Sequence, residues 1–161
     1  HILLYLFIFS SFLWDNHYII NISHDTKKGK GGNNLMKAKV SFYRCEICGN
    51  LVGLIHEGGG ELVCCGQPMQ KLEPNTVDAS KEKHVPVAVR KDGKIYVEVG
   101  SVAHPMTEEH YIEWIAIITD EGTERISLSP NSEPKAVFCD RENAEVYAYC
   151  NLHGLWKSEV K

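Results

Sequence analysis

Short segments of alternating apolar and polar residues, separated by turn residues, fill most of the chain beyond residue 80. Alternation with a period of two predicts strands that each bury one face. The predicted strands cover residues 85–89, 94–99, 112–118, 124–128, 135–139, 144–149 and 155–158. About seven short strands at this spacing indicate an antiparallel β-sandwich. The only helical signal is a single turn near residues 107–109.

Between residues 36 and 73 the strand-like runs are shorter and alternate with glycine-rich turns. Strands are predicted at 39–44, 50–56 and 61–63. Residues 72–80 contain Pro74-Asn75, a strong break in regular structure, and are predicted to be a linker. We therefore expect a small module at 36–73 and a larger all-β domain at 74–161.

Residues 1–35 differ from the rest of the chain. The apolar run at 2–14 is too short to span a bilayer comfortably, and it lacks the basic start and the cleavage site of a secretory signal. The residues Lys30-Gly31-Gly32 can be encoded by a purine-rich ribosome-binding sequence at a plausible distance before Met36. Our hypothesis is that residues 1–35 are a translated leader or disordered extension and that the working protein begins at Met36. A membrane anchor or signal is the alternative.

Composition narrows the possible partners. The chain has 161 residues and a formal net charge of −4, whereas a nucleic-acid surface requires a basic patch. Its 43% hydrophobic and 24% charged residues are ordinary for a globular protein. We therefore expect neither a nucleic-acid partner nor a membrane partner.

Four of the six cysteines lie in the first module with the spacing Cys45-x2-Cys48-x15-Cys64-Cys65. Four thiolates in so short a span predict a tetrahedral metal site, with paired disulfides as the alternative. Neighbouring residues of an extended chain point to opposite sides, so Cys64 and Cys65 can reach one ion only if the backbone bends. The ligand type by itself fits either zinc or iron.

A second group of candidate ligands falls at the edges of predicted strands. It consists of His84, His104, His110, Cys150 and His153. One such histidine is more often a surface residue than a ligand, and a Cys-x2-His pair also occurs in zinc fingers. Five metal-binding side chains at the ends of strands of one sandwich instead predict a shared metal site built on loops.

Two further residues lie outside these patterns. We interpret His56 as an exposed strand residue and not as a ligand. Cys139 ends an alternating strand and has no partner nearby in sequence, so we expect it to be a small buried hydrophobic residue.

From Met36 onward the chain resembles the two-iron superoxide reductases, also called desulfoferrodoxins. Besides the four-cysteine pattern, the matching motifs are Glu82-Lys83-His84-Val85-Pro86, His104-Pro105-Met106-x3-His110 and Cys150-Asn151-Leu152-His153-Gly154. Several separate motifs occur in the family's order, and they cover essentially the whole chain after the leader.

The resemblance implies a desulforedoxin-like module followed by an immunoglobulin-like antiparallel β-sandwich, with two iron ions. The first iron would be held by Cys45, Cys48, Cys64 and Cys65. The second, catalytic iron would have four equatorial ligands and one axial ligand, namely His84, His104, His110 and His153 with Cys150. Lys83 would attract the anionic substrate, and Glu82 would bind the oxidised iron when substrate is absent. The short Cys150–His153 spacing indicates that His153 binds through Nδ1, which the family also implies.

The implied activity is that of a superoxide reductase, which reduces superoxide by one electron to hydrogen peroxide as a defence in an anaerobe. The four-cysteine iron would relay electrons from a rubredoxin-like donor, and the protein would be a cytoplasmic homodimer. Two alternatives remain: a non-catalytic iron electron carrier and a zinc-stabilised binding module. Metal analysis and a visible spectrum distinguish the zinc protein, which would be colourless.

Overall fold

The computed structural model of the protein describes residues 40–160, in which there are twelve strands and one short helix. The predicted leader at 1–35 and the predicted start at Met36 lie outside the described residues. The antiparallel all-β architecture expected from the alternating pattern is confirmed. Between residues 40 and 160, no helix has the length and apolar character required to cross a membrane.

The first part of the described chain is the small cysteine-rich module. Its strands are β1 (Ser41–Arg44), β2 (Leu51–Leu54), β3 (Val63–Cys64), β4 (Gln67–Pro68) and β5 (Gln70–Lys71). A three-stranded sheet has the order β2-β1-β5, and β3 and β4 form a separate antiparallel hairpin. The strands are short because glycine-rich turns and the cysteine loops interrupt them.

The second part is a sandwich of two antiparallel sheets. Its elements are α1 (Lys81–His84), β6 (Pro86–Lys91), β7 (Lys94–Val99), β8 (Ile112–Thr119), β9 (Gly122–Ser127), β10 (Lys135–Cys139), β11 (Glu145–Cys150) and β12 (Gly154–Glu159). One sheet has three strands in the order β10-β7-β6, and the other has four in the order β12-β11-β8-β9. All of the predicted strands of this domain are present, with ends shifted by at most a few residues.

The two central strands of the four-stranded sheet, β8 and β11, are buried on both faces. On the inner face of the sheet, residues such as Ile115 and Ala148 pack against the three-stranded sheet. On its outer face, Trp114 and Tyr147 contact Phe42 of the module, with ring centroids 5.3 and 5.6 Å apart. Strand β8 is accordingly buried along almost its whole length, which explains its continuous apolar sequence. The module thus acts as the third layer of the core.

The helical turn predicted near residues 107–109 was placed wrongly. Those residues form a bend, and the only helix among the described residues is α1. Only His84 of α1 is buried, so the turn has no apolar periodicity that a sequence could display. It ends just before Pro86, whose ring disfavours helix at the preceding residue.

The expected burial of Cys139 is also wrong, because this side chain is exposed. In β10, Ala136 and Phe138 face the core, and the period of two then turns Val137 and Cys139 outward. From Ala136 to Cys139 the side chains on both faces of the strand are apolar, so polarity alone does not show which face is buried. The bulk of Phe138 decides which phase is buried.

Candidate metal centres

The first cysteine pair lies in a tight turn that follows β1. The N–H of Gly49 donates to the carbonyl of Cys45, and the N–H of Cys45 donates to the carbonyl of Asn50, each at 2.9 Å. Gly49 has a φ of +77°, a left-handed conformation that favours glycine. The turn directs Cys45 and Cys48 toward the same side.

The second cysteine pair shows the backbone bend that the adjacent residues require. Cys64 lies in β3, whereas Cys65 adopts a left-handed φ of +52° and is followed by Gly66 at +79°. A non-glycine residue in this region is uncommon and marks a local constraint. Here the bend brings the two neighbouring thiols within 3.9 Å of each other.

Together the four thiols form one compact donor set. The Sγ atoms of Cys45, Cys48, Cys64 and Cys65 all lie within 4.8 Å of one another. The backbone N–H of Cys48 lowers the pKa of Cys45 to about 7, whereas hydrogen bonds of the Cys65 thiol to the sulfur atoms of Cys48, Cys64 and Cys45 raise the pKa of Cys65 to about 12. Without a cation, only part of the set can ionise, because several thiolates would repel one another. The donor set therefore fits a metal ion that prefers thiolate ligands.

The second donor set is assembled at one end of the sandwich. His84 ends α1, His104 follows β7, and His110 precedes β8. Cys150 ends β11, and His153 lies in the turn that leads into β12. The ligand atoms of His84, His104, His110 and Cys150 lie within 4.8 Å of one another. Nδ1 of His153 is 2.9 Å from Nε2 of His84 and 3.6 Å from Sγ of Cys150.

The four imidazole rings form a closed quadrilateral. Consecutive rings in the order His84, His104, His110, His153 have centroids 4.6, 4.6, 4.8 and 4.7 Å apart around the cycle. Neighbouring rings are nearly perpendicular, with interplanar angles between 74° and 81°. The rings of His84 and His110, across the diagonal, are 5.9 Å apart. Four imidazole rings and the Cys150 thiol thus form one cluster of nitrogen and sulfur donors.

Hydrogen bonds orient two of these rings. Nδ1 of His84 lies 2.8 Å from the carbonyl of Ser80, and Nδ1 of His104 lies 2.6 Å from the carbonyl of Pro105. Each Nδ1 must therefore carry the proton, which leaves Nε2 as the free lone pair. Nε2 of His104 and Nε2 of His110 are buried and have no hydrogen-bond partner among the described residues. Converging buried lone pairs without partners fit a metal cation.

The protonation states agree with this fit. Burial lowers the pKa of His104 to about 4 and also lowers the pKa of His84 and His110. Neutral imidazole, the form that binds metals, is therefore favoured at neutral pH. Burial raises the pKa of the Cys150 thiol, whereas the backbone N–H groups of His153 and Leu152 lower it. A bound cation would shift Cys150 further toward the thiolate.

Trp156 supports the second donor set, although the sequence did not single it out. Its indole is fully buried and stacks on the His84 ring at 4.8 Å. Its Nε1–H donates to the carbonyl of His153 at 3.1 Å. The sequence shows that Trp156 lies two residues after Gly154, but it does not show that the indole contacts His84, because that contact forms only when the chain folds.

Glu82 and Lys83 lie on α1, directly before His84, and both are exposed. The positive charge of Lys83 contributes, after burial, to lowering the pKa of both His84 and His110. The negative charge of Glu82 raises the pKa of His84. Lys83 has no ion-pair partner among the described residues. The two charges therefore lie at the rim of the second donor set.

These features define a β-sandwich protein with two metal centres of different donor type. The desulfoferrodoxin profile matches residues 76–159, and the profile of the desulfoferrodoxin N-terminal domain matches residues 37–72. The chain belongs to the desulfoferrodoxin family. Its two donor sets are two iron centres, one of four cysteines and one of four histidines and one cysteine.

Individual relatives agree with this assignment. The chain is 55% identical over 126 residues to a desulfoferrodoxin homolog from Archaeoglobus fulgidus, which covers 76% of this chain and 99% of the relative. It is 38% identical over 104 residues to a superoxide reductase from Pyrococcus abyssi, which covers 52% of this chain and 90% of the relative. Among solved structures, the superoxide reductase from Treponema pallidum has a TM-score of 0.61 and 36% identity. That match covers 74% of this chain and 98% of the other.

Proposed function

We propose that this protein is a superoxide reductase that converts superoxide, one electron and two protons into hydrogen peroxide. The observation that carries this proposal is the ring of four imidazoles with a cysteine thiol beside it. The family membership and the superoxide reductases among the similar proteins support it. When iron is bound in this ring, it supplies the electron by passing from the ferrous to the ferric state.

In this proposal the chain presents one donor atom from each ligand residue. His84, His104 and His110 present Nε2, His153 presents Nδ1, and Cys150 presents Sγ. The imidazoles are neutral, so Cys150 is the only one of the five donors that becomes anionic. A thiolate donates electron density to a bound metal and thereby favours electron transfer to the substrate.

Lys83 and Glu82 have separate roles at the rim. The Lys83 ammonium group attracts the superoxide anion and stabilises negative charge as it develops on the substrate. Its lack of an ion-pair partner among the described residues leaves its charge available for this role. Glu82 would supply a carboxylate to hold the oxidised iron when substrate is absent. Both residues are close enough to affect the pKa of His84.

The four cysteines would hold an iron that relays electrons from an external donor to the second centre. Cys48 and Cys65 are exposed, and the neighbouring side chains of Ile47 and Val63 are 61% and 59% exposed. An external protein can therefore approach the sulfur ligands over an apolar surface, and a rubredoxin-like protein is the proposed donor. We further propose that the protein is a homodimer, which sedimentation analysis can test.

A cytoplasmic location is the remaining part of the proposal. None of the six cysteines within residues 40–160 forms a disulfide bond, including Cys139, which lies outside both donor sets. Cysteines used as metal ligands and an unpaired exposed cysteine accord with a reducing compartment, in which structural disulfides are rare. Fractionation of cells from the native source, followed by detection of the protein, tests this location.

The test is to mix the reduced, iron-loaded protein with a pulse of superoxide and to follow its visible absorption. We expect oxidation of the second centre and formation of hydrogen peroxide without release of dioxygen. Release of dioxygen would instead indicate a dismutase. A coloured protein that exchanges electrons but does not react with superoxide would be an electron carrier. A colourless protein that contains zinc would be a binding module.

A further inference from the structure

Asn151 occupies the turn between β11 and β12, directly after Cys150. Its carboxamide reaches across to the segment that carries His110. Nδ2 of Asn151 donates to the carbonyl of Glu109 at 2.9 Å, and Oδ1 accepts from the N–H of Tyr111 at 3.0 Å. The backbone N–H of Asn151 also donates to the carbonyl of Tyr111 at 3.2 Å. Three hydrogen bonds thus hold the chain on both sides of His110.

His110 needs such support more than the other two Nε2 donors. The rings of His84 and His104 are each oriented by a hydrogen bond to a backbone carbonyl. No described residue makes a hydrogen bond to the ring of His110. Its backbone bonds only to Thr107, which lies in the same loop. The placement of the His110 ring therefore depends on where its backbone is held.

We propose that Asn151 is a positioning residue. By hydrogen bonding across the two ligand-bearing loops, it holds His110 in a fixed position relative to Cys150 and His153. A carboxamide is required, because it donates from one atom and accepts at another. Aspartate lacks the donor, and alanine lacks both groups. Asn151 follows the cysteine donor in sequence, so displacement of the turn and displacement of His110 are coupled. The inference rests on the proposed second iron centre.

The chain contains a matched control for this arrangement. Asn75 makes the same pair of bonds to the backbone of Lys157, with Nδ2 donating to the carbonyl at 3.1 Å and Oδ1 accepting from the N–H at 2.9 Å. Its own backbone N–H donates to the carbonyl of Leu155 at 3.0 Å. Asn75 thus ties the linker to β12 on either side of Trp156, a stretch that carries none of the donors and touches the site only through the Trp156 indole. It also has a left-handed φ of +63°, so Asn75→Ala adds strain to the loss of two bonds.

The experiment compares Asn151→Ala and Asn75→Ala as full-length, iron-loaded proteins. The rate of iron loss from the second centre to an excess of chelator is measured, together with the electron paramagnetic resonance spectrum of the oxidised centre. We expect Asn151→Ala to lose this iron about tenfold faster or more and to show a changed spectrum. Asn75→Ala reaches the second centre only indirectly, through Trp156, so it should lose this iron more slowly than Asn151→Ala, even if its unfolding midpoint falls as much.

A wild-type rate of iron loss and an unchanged spectrum in Asn151→Ala would overturn the inference. Equal acceleration in both variants would also overturn it, because general destabilisation would then be the cause. If Asn151→Ala does not fold, Asn151→Asp retains the acceptor for the Tyr111 N–H, loses the donor to Glu109 and adds a negative charge near Cys150. We expect faster iron loss from that variant, and a wild-type rate would contradict the proposal. Both readouts are independent of superoxide turnover, so failure of the proposed activity would be seen separately.

Discussion

Lys83 shows how one exposed charge can matter on a protein whose net charge is −4. Electrostatic attraction between exposed charges decays within about 10 Å at ordinary ionic strength, so the local charge governs the approach of a small anion. Burial and the neighbouring His153 do more to lower the pKa of His84 and His110, and the charge of Lys83 adds a small further lowering to both. A like charge elsewhere on the surface cannot replace it.

We predict that Lys83→Ala slows the second-order reaction of the reduced protein with superoxide by about tenfold, the lower range of steering effects. The iron content should stay unchanged, and the dependence of the rate on ionic strength should weaken. Pulse radiolysis or stopped-flow absorption at several salt concentrations measures both quantities. Lys81→Ala removes the same charge from the same turn and is the control, while Lys83→Arg should restore most of the rate. Equal rates for Lys83→Ala and the wild type at every salt concentration would exclude Lys83 from the mechanism.

At the scale of elements, α1 is held in place by the segment that follows β7. The N–H of Val102 donates to the carbonyl of Glu82, and the N–H of Gly100 donates to the carbonyl of Val85. Gly100 has a φ of +85°, and a Cβ atom built there would lie 2.6 Å from the carbonyl oxygen of Lys83. The close approach of two backbones therefore sets the position of Glu82, Lys83 and His84.

We predict that Gly100→Ala displaces α1, accelerates iron loss from the second centre and lowers the free energy of unfolding. Gly93→Ala is the control, because Gly93 also has a left-handed φ, of +71°, but a Cβ there would meet nothing within 4 Å. Both variants bear backbone strain of about 1–3 kcal/mol. Only Gly100→Ala adds overlap with backbone atoms, for which we expect a further loss of about 1–3 kcal/mol in urea unfolding. Equal stability and equal iron retention of the two variants would show that the close approach is unimportant.

At the scale of the whole molecule, the cysteine module and the sandwich share part of their core. Phe42 of β1 packs on Trp114 and Tyr147, and Leu51 and Leu72 pack beside them. Burial of a phenylalanine side chain contributes about 1.5–3 kcal/mol. The module is therefore stabilised by the sandwich as well as by its metal. Loss of the first metal should loosen the cysteine loops and leave β1 attached.

We predict that Cys45→Ser removes the first iron and leaves the second centre able to react once with superoxide. Cys45 is the buried member of the first donor set, so its replacement by a weaker ligand cannot be offset by solvent. The measured iron content should fall from two ions to one per chain. The reduced variant should be oxidised by superoxide at the wild-type rate in a single turnover. Re-reduction by an external donor should slow. Cys139→Ser alters an exposed cysteine outside both donor sets and should retain both irons. A folded Cys45→Ser variant with an intact second iron but no superoxide reaction would contradict the separation of roles.

Local patterning was sufficient for the strands and for the choice of candidate donors. Strands β7 and β10 were predicted at their observed bounds because their side chains alternate between core and solvent. The adjacent Cys64 and Cys65 required a bend, and the left-handed Cys65 provides it. Such features follow from covalent geometry and from the alternation of side chains along a strand. Both can be recognised from a few consecutive residues.

Other features depended on contacts between distant segments. Cys139 points outward because its neighbour Phe138 is buried. The position of α1 is set by the backbone of Gly100 and Val102. The bridge from Asn151 to Glu109 and Tyr111 joins residues about forty positions apart. A carboxamide can bond to many backbone groups, so its partners are unknown until the chain is folded.

The sequence alone therefore indicated an all-β chain with four clustered cysteines and a second set of five dispersed donors. Tertiary structure decided how those five donors meet, because each comes from a different strand end and only sheet pairing brings those ends together. It also decided that the module covers the outer face of the four-stranded sheet. Spacing along a chain specifies which residues can act as ligands, whereas packing specifies where their atoms converge.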